Sequence, residues 1–449
     1  MNEEKPRLTL WPERVLGPPP GLKEINLICW GLFIGFVIAP ILFVLVIQSR
    51  TGRLYFRESP VDFIYFYGTG RIANEYSAIE VYDNNLQLKT FNEIQPSRDG
   101  AYGTSPYPPF VSQFFRLFAK LPFEPAYFLW MGISLALYVA AIALTLQEFI
   151  PGESLKSSLF FCFALAFYPF LRNALINGQL SCVAVLCVAV AVFHEKRSRP
   201  FLSGLALALL IYKPTFLLLP IPMLLVTRRF RVFFGFMTGT GVLVAISTAL
   251  AGIGIWPAYA RFLIDFGHIS GISGHSSLEL WKYIDFNSFV SAIPGGRSVP
   301  ALATLICFSA LVALWLAVLL WKSSGGDKPE QCLVWAATLT WTMLLNVYFP
   351  IYDSILIIIP VILTFSAIRD LEWTNAKDWI VFGAILIFGV SWISERIAET
   401  TGIQLLSIAL LAFGIAQCSI LHRAIGRRSA QIQSADPAFA RSTGAGEMR

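Results

Sequence analysis

Pro108-Pro109-Phe110-Val111-Ser112-Gln113-Phe114-Phe115-Arg116-Leu117-Phe118-Ala119-Lys120-Leu121 is greasy enough to pass for a membrane crossing, and whether it crosses decides the topology of the whole chain. The stretch has 14 residues and carries two cations near its end. A helix needs about 20 apolar residues to span a hydrocarbon core of about 30 Å. Charge bias argues in the same direction. Short basic loops stay on the cytoplasmic side, and three basic clusters stand between apolar runs: His194-Glu195-Lys196-Arg197-Ser198-Arg199, Arg228-Arg229-Phe230-Arg231, and the tail with Arg423, Arg427 and Arg428. The N-terminus carries Lys5, Arg7, Arg14 and Lys23. With that end inside, all three clusters fall inside only if 108–121 does not cross. It therefore reads as an interfacial or re-entrant helix.

Working outward, the composition agrees with a polytopic membrane protein. Of 449 residues, 56% are hydrophobic and only 14% charged, with a mean hydropathy of +0.63. A soluble domain carries about 25% charge. The apolar runs have helical length and lack the alternation of barrel strands. Spans are expected near 25–47, 124–147, 157–173, 179–193, 201–212, 215–227, 232–252, 300–321, 331–348, 350–367, 378–394 and 403–421. That makes about twelve, with both ends cytoplasmic. The pair at 201–227 is short and bends around Lys213-Pro214. The first span comes after mixed charges with no A-x-A site behind it, so it is expected to be retained. The organisation is then a cytoplasmic segment 1–24, a membrane domain 25–422, and a disordered cytoplasmic tail 423–449. External loops cover 48–123 and 253–299. The net charge of +6 resides in the short loops and says nothing of nucleic acid. The seven cysteines form no CxxC pair, which argues against a disulfide framework or a zinc site.

Four elements are expected on the outer face: the loop 48–123, the turn Asn173–Gln179, the turn at Lys213-Pro214, and the loop 253–299. Chemistry is sought where they converge. The first candidate is Asp62, in Ser59-Pro60-Val61-Asp62-Phe63-Ile64-Tyr65-Phe66-Tyr67-Gly68. Ser59-Pro60 reads as a helix start, which would put Asp62 at the third helical position as a capping acid. A helix N-terminus also holds a carboxylate rigid and ionised, so a capping acid and a catalytic base are compatible. Tyr65 and Thr69 would share its face, and Arg71 would point away. Asp83 reads as a cap for the segment beginning at Asn84. Tyr107 either anchors at the interface or faces a sugar. Asn177-Gly178-Gln179 joins two apolar arms. Its glycine permits a tight turn, and its amides either bond hydroxyl groups or cap helices. Arg172, a turn earlier, could reach a phosphate.

Lys213 interrupts an apolar run on the side where charge bias disfavours a cation. It either snorkels to the headgroups or meets a lipid-linked phosphate. In the later loop, Asp265, His268, His275, Glu279, Lys282 and Asp285 are further candidates. His268 and His275 are seven residues apart among glycines, which is poor spacing for a metal. No metal site is expected. A histidine meeting a phosphate or hydroxyl remains open.

In order along the chain stand Asp62-Phe63 with Tyr65 close behind, Val81-Tyr82-Asp83, Tyr107-Pro108-Pro109, Trp130, Asn177-Gly178-Gln179 and Lys213-Pro214. This order, over about residues 25–370, resembles glycosyltransferase family eighty-seven, membrane enzymes of the GT-C type that include polyprenol-phosphate-mannose-dependent mannosyltransferases. The resemblance implies an all-α GT-C fold and inverting transfer of one sugar from a polyprenyl-phosphate donor. The reaction would take place on the outer face of the cell membrane, with a glycolipid or glycan as acceptor. It also implies that Asp62 is the catalytic base and that Lys213-Pro214 lies near the donor phosphate. Mannose is the default sugar, with arabinose as the other option. The chain departs from the family at Arg71-Ile72-Ala73-Asn74-Glu75-Tyr76-Ser77, where members usually carry small residues. A polyprenyl phosphate is already a good leaving group, so no cofactor is expected. A base for the acceptor proton and a cation for the departing phosphate meet the minimum need. The competing reading is a transporter or flippase of a lipid-linked saccharide. Transporters favour midplane charges and inverted repeats, whereas no repeat is visible here and the polar residues gather toward one surface.

Overall fold

The computed structural model describes residues 62–96, 102–151, 154–272, 279–293 and 295–435, together with Leu27, Trp30, Gly31, Ile34 and Gly35. The helices among them are α1 (Phe63–Glu75), α2 (Asn84–Ile94), α3 (Pro109–Phe115), α4 (Phe123–Phe149), α5 (Ser154–Leu165), α6 (Ser181–Lys196), α7 (Pro200–Ala208) and α8 (Pro220–Val226). They continue with α9 (Phe230–Ala251), α10 (Ile255–Ile272), α11 (Phe286–Ala292), α12 (Val299–Lys322), α13 (Lys328–Leu344), α14 (Ile358–Asp370), α15 (Thr374–Thr401) and α16 (Leu405–Ala435). No strand forms among the described residues, and Tyr283 and Pro350 make one isolated bridge.

Among the described residues, six helical segments are long and apolar enough to cross a membrane: Phe123–Phe149, Phe230–Ala251, Val299–Lys322, Ile351–Asp370, Ala376–Thr401 and Leu405–Gln431. Two shorter apolar pieces, Pro200–Tyr212 and Pro214–Val226, meet at Lys213. There the α-helix gives way to 3₁₀ turns on either side, Leu209–Tyr212 and Pro214–Leu217. Pro214 cannot donate a backbone bond and disfavours helix at Lys213, which is why the chain breaks here. The expected first span, 25–47, lies outside the described residues apart from the five named above.

The stretch 108–121 does not form one long helix. It makes α3, a 3₁₀ turn at Phe118–Lys120, and then stops at Pro122 before α4. Phe115 and Phe118 pack on Phe63 and Trp130, so this segment is a wedge beneath α1. Outside it, Tyr82 stacks on Tyr259 and Phe262 of α10. The layer from Asp62 to Leu121 is thus wrapped by an amphipathic helix from the later loop.

Connections between helices gather at two ends. One end holds α1, the Asn177–Gln179 turn, Lys213 and the segment around Asp353. The other is knitted by ion pairs: Arg197 to Glu148 at 2.8 Å, Arg229 to Glu195, and Arg428 to Glu330 at 3.1 Å. Trp335 Nε1 also donates to Glu195 at 2.7 Å there. Between the ends, α7 and α9 pack backbone to backbone. A Cβ on Gly204 would sit 2.0 Å from the Val232 carbonyl oxygen, so only glycine fits.

One boundary is corrected. The segment expected to be disordered from residue 423 is helical as far as Ala435. Arg428 holds it by its pair with Glu330 and by donating to the Lys322 carbonyl at 2.7 Å, while Arg427 lies 4.6 Å over the Trp373 ring. Polar composition hid these anchors.

Candidate functional site

α1 begins at Phe63, and Asp62 itself stands in the capping position, while Ser59-Pro60 lie outside the described residues. Its carboxylate makes no cap bond to α1. The expected capping role is therefore corrected, and the reason lies in a different chain segment. The backbone N–H of Phe63 donates to the Asn177 carbonyl at 2.9 Å, which serves as a cap from outside the helix. The Asp62 carboxylate is left free to turn inward, where Oδ2 accepts from Gln179 Nε2. No hydrogen bond to Oδ1 is made among the described residues.

The turn that does this is built around Gly178. The Gln179 N–H reaches the Ala174 carbonyl at 2.9 Å, and the Gly178 N–H reaches Leu175 at 3.1 Å. That pair of bonds is the Schellman helix ending, which places its C′ residue in the left-handed region. Gly178 has φ +70°. A Cβ there would lie 2.8 Å from the Phe63 Cβ, so the turn and α1 are in close contact. Trp130 Nε1 donates to the Gly178 carbonyl at 2.9 Å, and Tyr127 OH donates to Ile176 at 2.5 Å. The residue after Asp62 and the turn leading into Gln179 are thus fixed by backbone bonds or close contact.

Burial is the largest influence on the Asp62 carboxyl and raises its pKa, opposed by the Gln179 hydrogen bond and the charges of Lys282 and Lys213. Proton affinity above the usual carboxylate range is what a general base needs. Tyr65 faces the same carboxylate. Burial and the Asp62 charge push its phenol up to about 12, so it stays a neutral hydrogen-bonding group. Tyr107 is half-buried, with its ring 4.9 Å from Phe66 and 6.4 Å from Tyr212. Burial, with Asp353 and Asp62 adding to it, raises its pKa.

Lys213 neither snorkels nor stands free. Its ammonium is paired with Asp353, a carboxylate only 1% exposed, whose other oxygen accepts from Ser181 Oγ at 2.6 Å. The ammonium also lies 4.7 Å from the Tyr352 ring centroid, within range for cation–π attraction. Asp353 escaped the sequence reading because it sits inside an expected apolar span, in Phe349-Pro350-Ile351-Tyr352-Asp353-Ser354-Ile355. An acid in such a run was itself the signal: intramembrane charges are paired and functional by default.

The later loop enters the site through Lys282 and Tyr283. The Ile284 N–H donates to the Phe349 carbonyl at 2.9 Å, and the Phe349 N–H donates to Asp285 Oδ2 at 2.6 Å. These bonds tie residues 282–285 to the segment leading into Asp353. Lys282 is paired with Glu279. Asp285, a candidate from sequence, caps α11 through the Ser288 N–H at 2.8 Å and is structural. Asp265 is exposed.

Of the residues singled out from sequence, Asp62, Tyr65, Tyr107, Gln179 and Lys213 come together. Asn177 contributes its carbonyl to α1. Arg172 does not join them; it is exposed, facing Tyr127 and Tyr168. The His268 side chain and the whole of His275 lie outside the described residues. Arg71 pairs with Glu75 at 2.7 Å, away from Asp62, and Asp83 caps α2. Among the described residues no group of three His, Cys, Asp or Glu side chains could hold a metal ion.

No curated protein and no solved structure matches the chain. Residues 106–350 match the family model described as Glycosyltransferase family 87. That region is more than half of the chain, and it holds Tyr107, the Gly178 turn, Gln179 and Lys213. The chain belongs to glycosyltransferase family 87 and is a membrane glycosyltransferase.

Proposed function

We propose that this protein transfers a sugar from a polyprenyl-phosphate donor to an acceptor hydroxyl, with inversion, and that Asp62 is the base. The observation carrying this reading is the state of the Asp62 carboxylate. Gln179 occupies one oxygen, Oδ1 remains to accept a proton, and a cation and neutral phenols surround it. The acceptor O–H proton passes to Oδ1 as the acceptor oxygen attacks the anomeric carbon. The bond from that carbon to the phosphate oxygen breaks on the opposite side, and the phosphate leaves with the electron pair. Lys213 would meet the charge gained by the phosphate. An ammonium has three donors, and the pair with Asp353 occupies one of them.

In this reading the donor sugar is mannose by default, and the acceptor is a glycolipid or another glycan. Tyr65 and Tyr107 offer hydroxyls and ring faces to the sugars. The chain makes about twelve spans in the cell membrane with both ends cytoplasmic, so that Asp62 faces outward. Membership of a glycosyltransferase family favours this enzyme over the transport reading.

Asp62→Asn tests the assignment. The amide keeps size and one acceptor oxygen but cannot take a proton. Transfer in purified protein, assayed across a panel of synthetic polyprenyl-phosphate sugars, should fall by a factor on the order of 10² or more with insertion and folding intact. Turnover retained by Asp62→Asn would remove Asp62 as the base.

A further inference from the structure

We propose that the face opposite Asp62 carries a binding site for the head group of an anionic phospholipid. The site is a cleft of about 650 Å³ between the ends of α8 and α12 and the second half of α16, lined by Arg228, Lys322, His422 and Trp321. No carboxylate lines it. It stands apart from the transfer site by the length of α9, 22 residues or roughly 33 Å at 1.5 Å per residue.

Three observations converge on an anion. Three nearby cations are already neutralised: Arg229 by Glu195, Arg197 by Glu148, and Arg428 by Glu330. Arg228 and Lys322, by contrast, have no ion-pair partner among the described residues and are exposed. The cleft wall is also fixed. Ser324 Oγ donates to the Thr227 carbonyl at 3.1 Å, and Arg428 donates to the Lys322 carbonyl. Finally, Arg228 occupies a position that ordinarily goes to glycine. The bonds from its N–H to Leu225 and from Arg229 N–H to Leu224 form a Schellman ending, and Arg228 has φ +57°. A left-handed arginine is disfavoured by its Cβ, and here the strained position delivers a guanidinium to the cleft.

The location selects a lipid over a soluble anion. Trp321 is 56% exposed at the last turn of a membrane-length helix, the level at which indoles meet headgroups. Basic clusters there attract anionic lipid, each cation strengthening binding by roughly fivefold.

Delipidated full-length protein would be titrated with phosphatidylglycerol or with phosphatidylcholine, and bound lipid counted by native mass spectrometry. Wild type should hold at least one phosphatidylglycerol in preference to phosphatidylcholine, with retention weakening as salt rises. Arg228→Gln/Lys322→Gln/His422→Gln should lose at least tenfold in apparent affinity, and Arg228→Lys/Lys322→Arg should keep most of it. Equal binding of the two lipids to wild type overturns the proposal, whether or not the triple variant folds. So does unchanged affinity in a folded triple variant. Displacement of phosphatidylglycerol by equimolar inorganic phosphate or polyprenyl phosphate also overturns it, because the cleft would then serve a free phosphate or the donor lipid.

Discussion

Removing Lys213 should destabilise the protein before it affects any substrate. Asp353 is 1% exposed, and the Lys213 side chain is 16% exposed. Lys213→Met leaves the carboxylate with the Ser181 hydroxyl alone. Breaking a buried pair by deleting one partner costs about 3–5 kcal/mol. The partial exposure of Lys213 lets some water in, which puts the expected loss at the low end, about 3 kcal/mol. Asp353→Asn should cost less, about 1–2 kcal/mol, because the freed ammonium has a flexible stem and a route to solvent. Lys213→Met/Asp353→Asn removes both charges and should recover most of the loss of Lys213→Met. The single losses sum to about 4–5 kcal/mol and the double should cost about 1–2, so the cycle predicts a favourable coupling of about 3 kcal/mol, well above the roughly 0.5 kcal/mol scatter of independent sites. Unfolding in graded dodecyl sulfate, monitored by loss of helicity, gives the four stabilities. All three variants should lose transfer activity. If the single losses simply add, or if Lys213→Met unfolds like the wild type, the pair does not hold the site together and Lys213 is free for other work.

Two further outcomes concern the Asp62 side. Burial raises the Asp62 carboxyl and Gln179 pulls it down, and a base works only when deprotonated, so the rate should fall as pH drops through that raised pKa. Gln179→Ala removes a donor to the charged form, and the acid limb of the pH–rate profile should move to higher pH. A uniform loss with the limb unmoved would mean that Gln179 holds substrate instead. The same carboxyl, with its pKa raised by folding, stabilises the fold when protonated, and that contribution is lost as pH rises through its folded value. Gly178→Ala should cost about 1–2 kcal/mol for the left-handed backbone, plus the displacement of Phe63, and should lower transfer because Asp62 moves with Phe63. Stability and activity both at wild-type levels would show that the turn relaxes without disturbing α1.

Much of the site was legible because polar residues in a greasy chain stand out. Asp62, Gly178 with its flanking amides, and Lys213 each broke a local pattern. The element missing from the sequence was partnership. Asp62 looked like a cap for its own helix because local spacing says nothing about a carbonyl arriving from residue 177. Lys213 looked like a free cation because its counter-ion stands 140 residues away, inside a run that hydropathy reads as plain membrane. Asp285 carried the same outward signs as a functional acid, yet it caps a short helix and receives the Phe349 N–H. The stretch 108–121 was read better: its shortness and its two cations argued against a membrane-length helix, and the chain there makes only α3 and a 3₁₀ turn.

The two polar pairs close one after the other along the chain, with residue 62 closing on 179 and residue 213 closing on 353. This imposes an order of completion during synthesis. When Asp62 is added to the growing chain, the amide that will orient it is more than a hundred residues from being made. Lys213 then waits longer still, 140 residues, for its carboxylate. In the proposed reading, no N-terminal fragment ending before Asp353 holds a finished site, so a nascent or truncated chain would not discharge the activated sugar onto whatever hydroxyl lies nearby. The enzyme gains its chemistry late, once most of its helices are available to hold it.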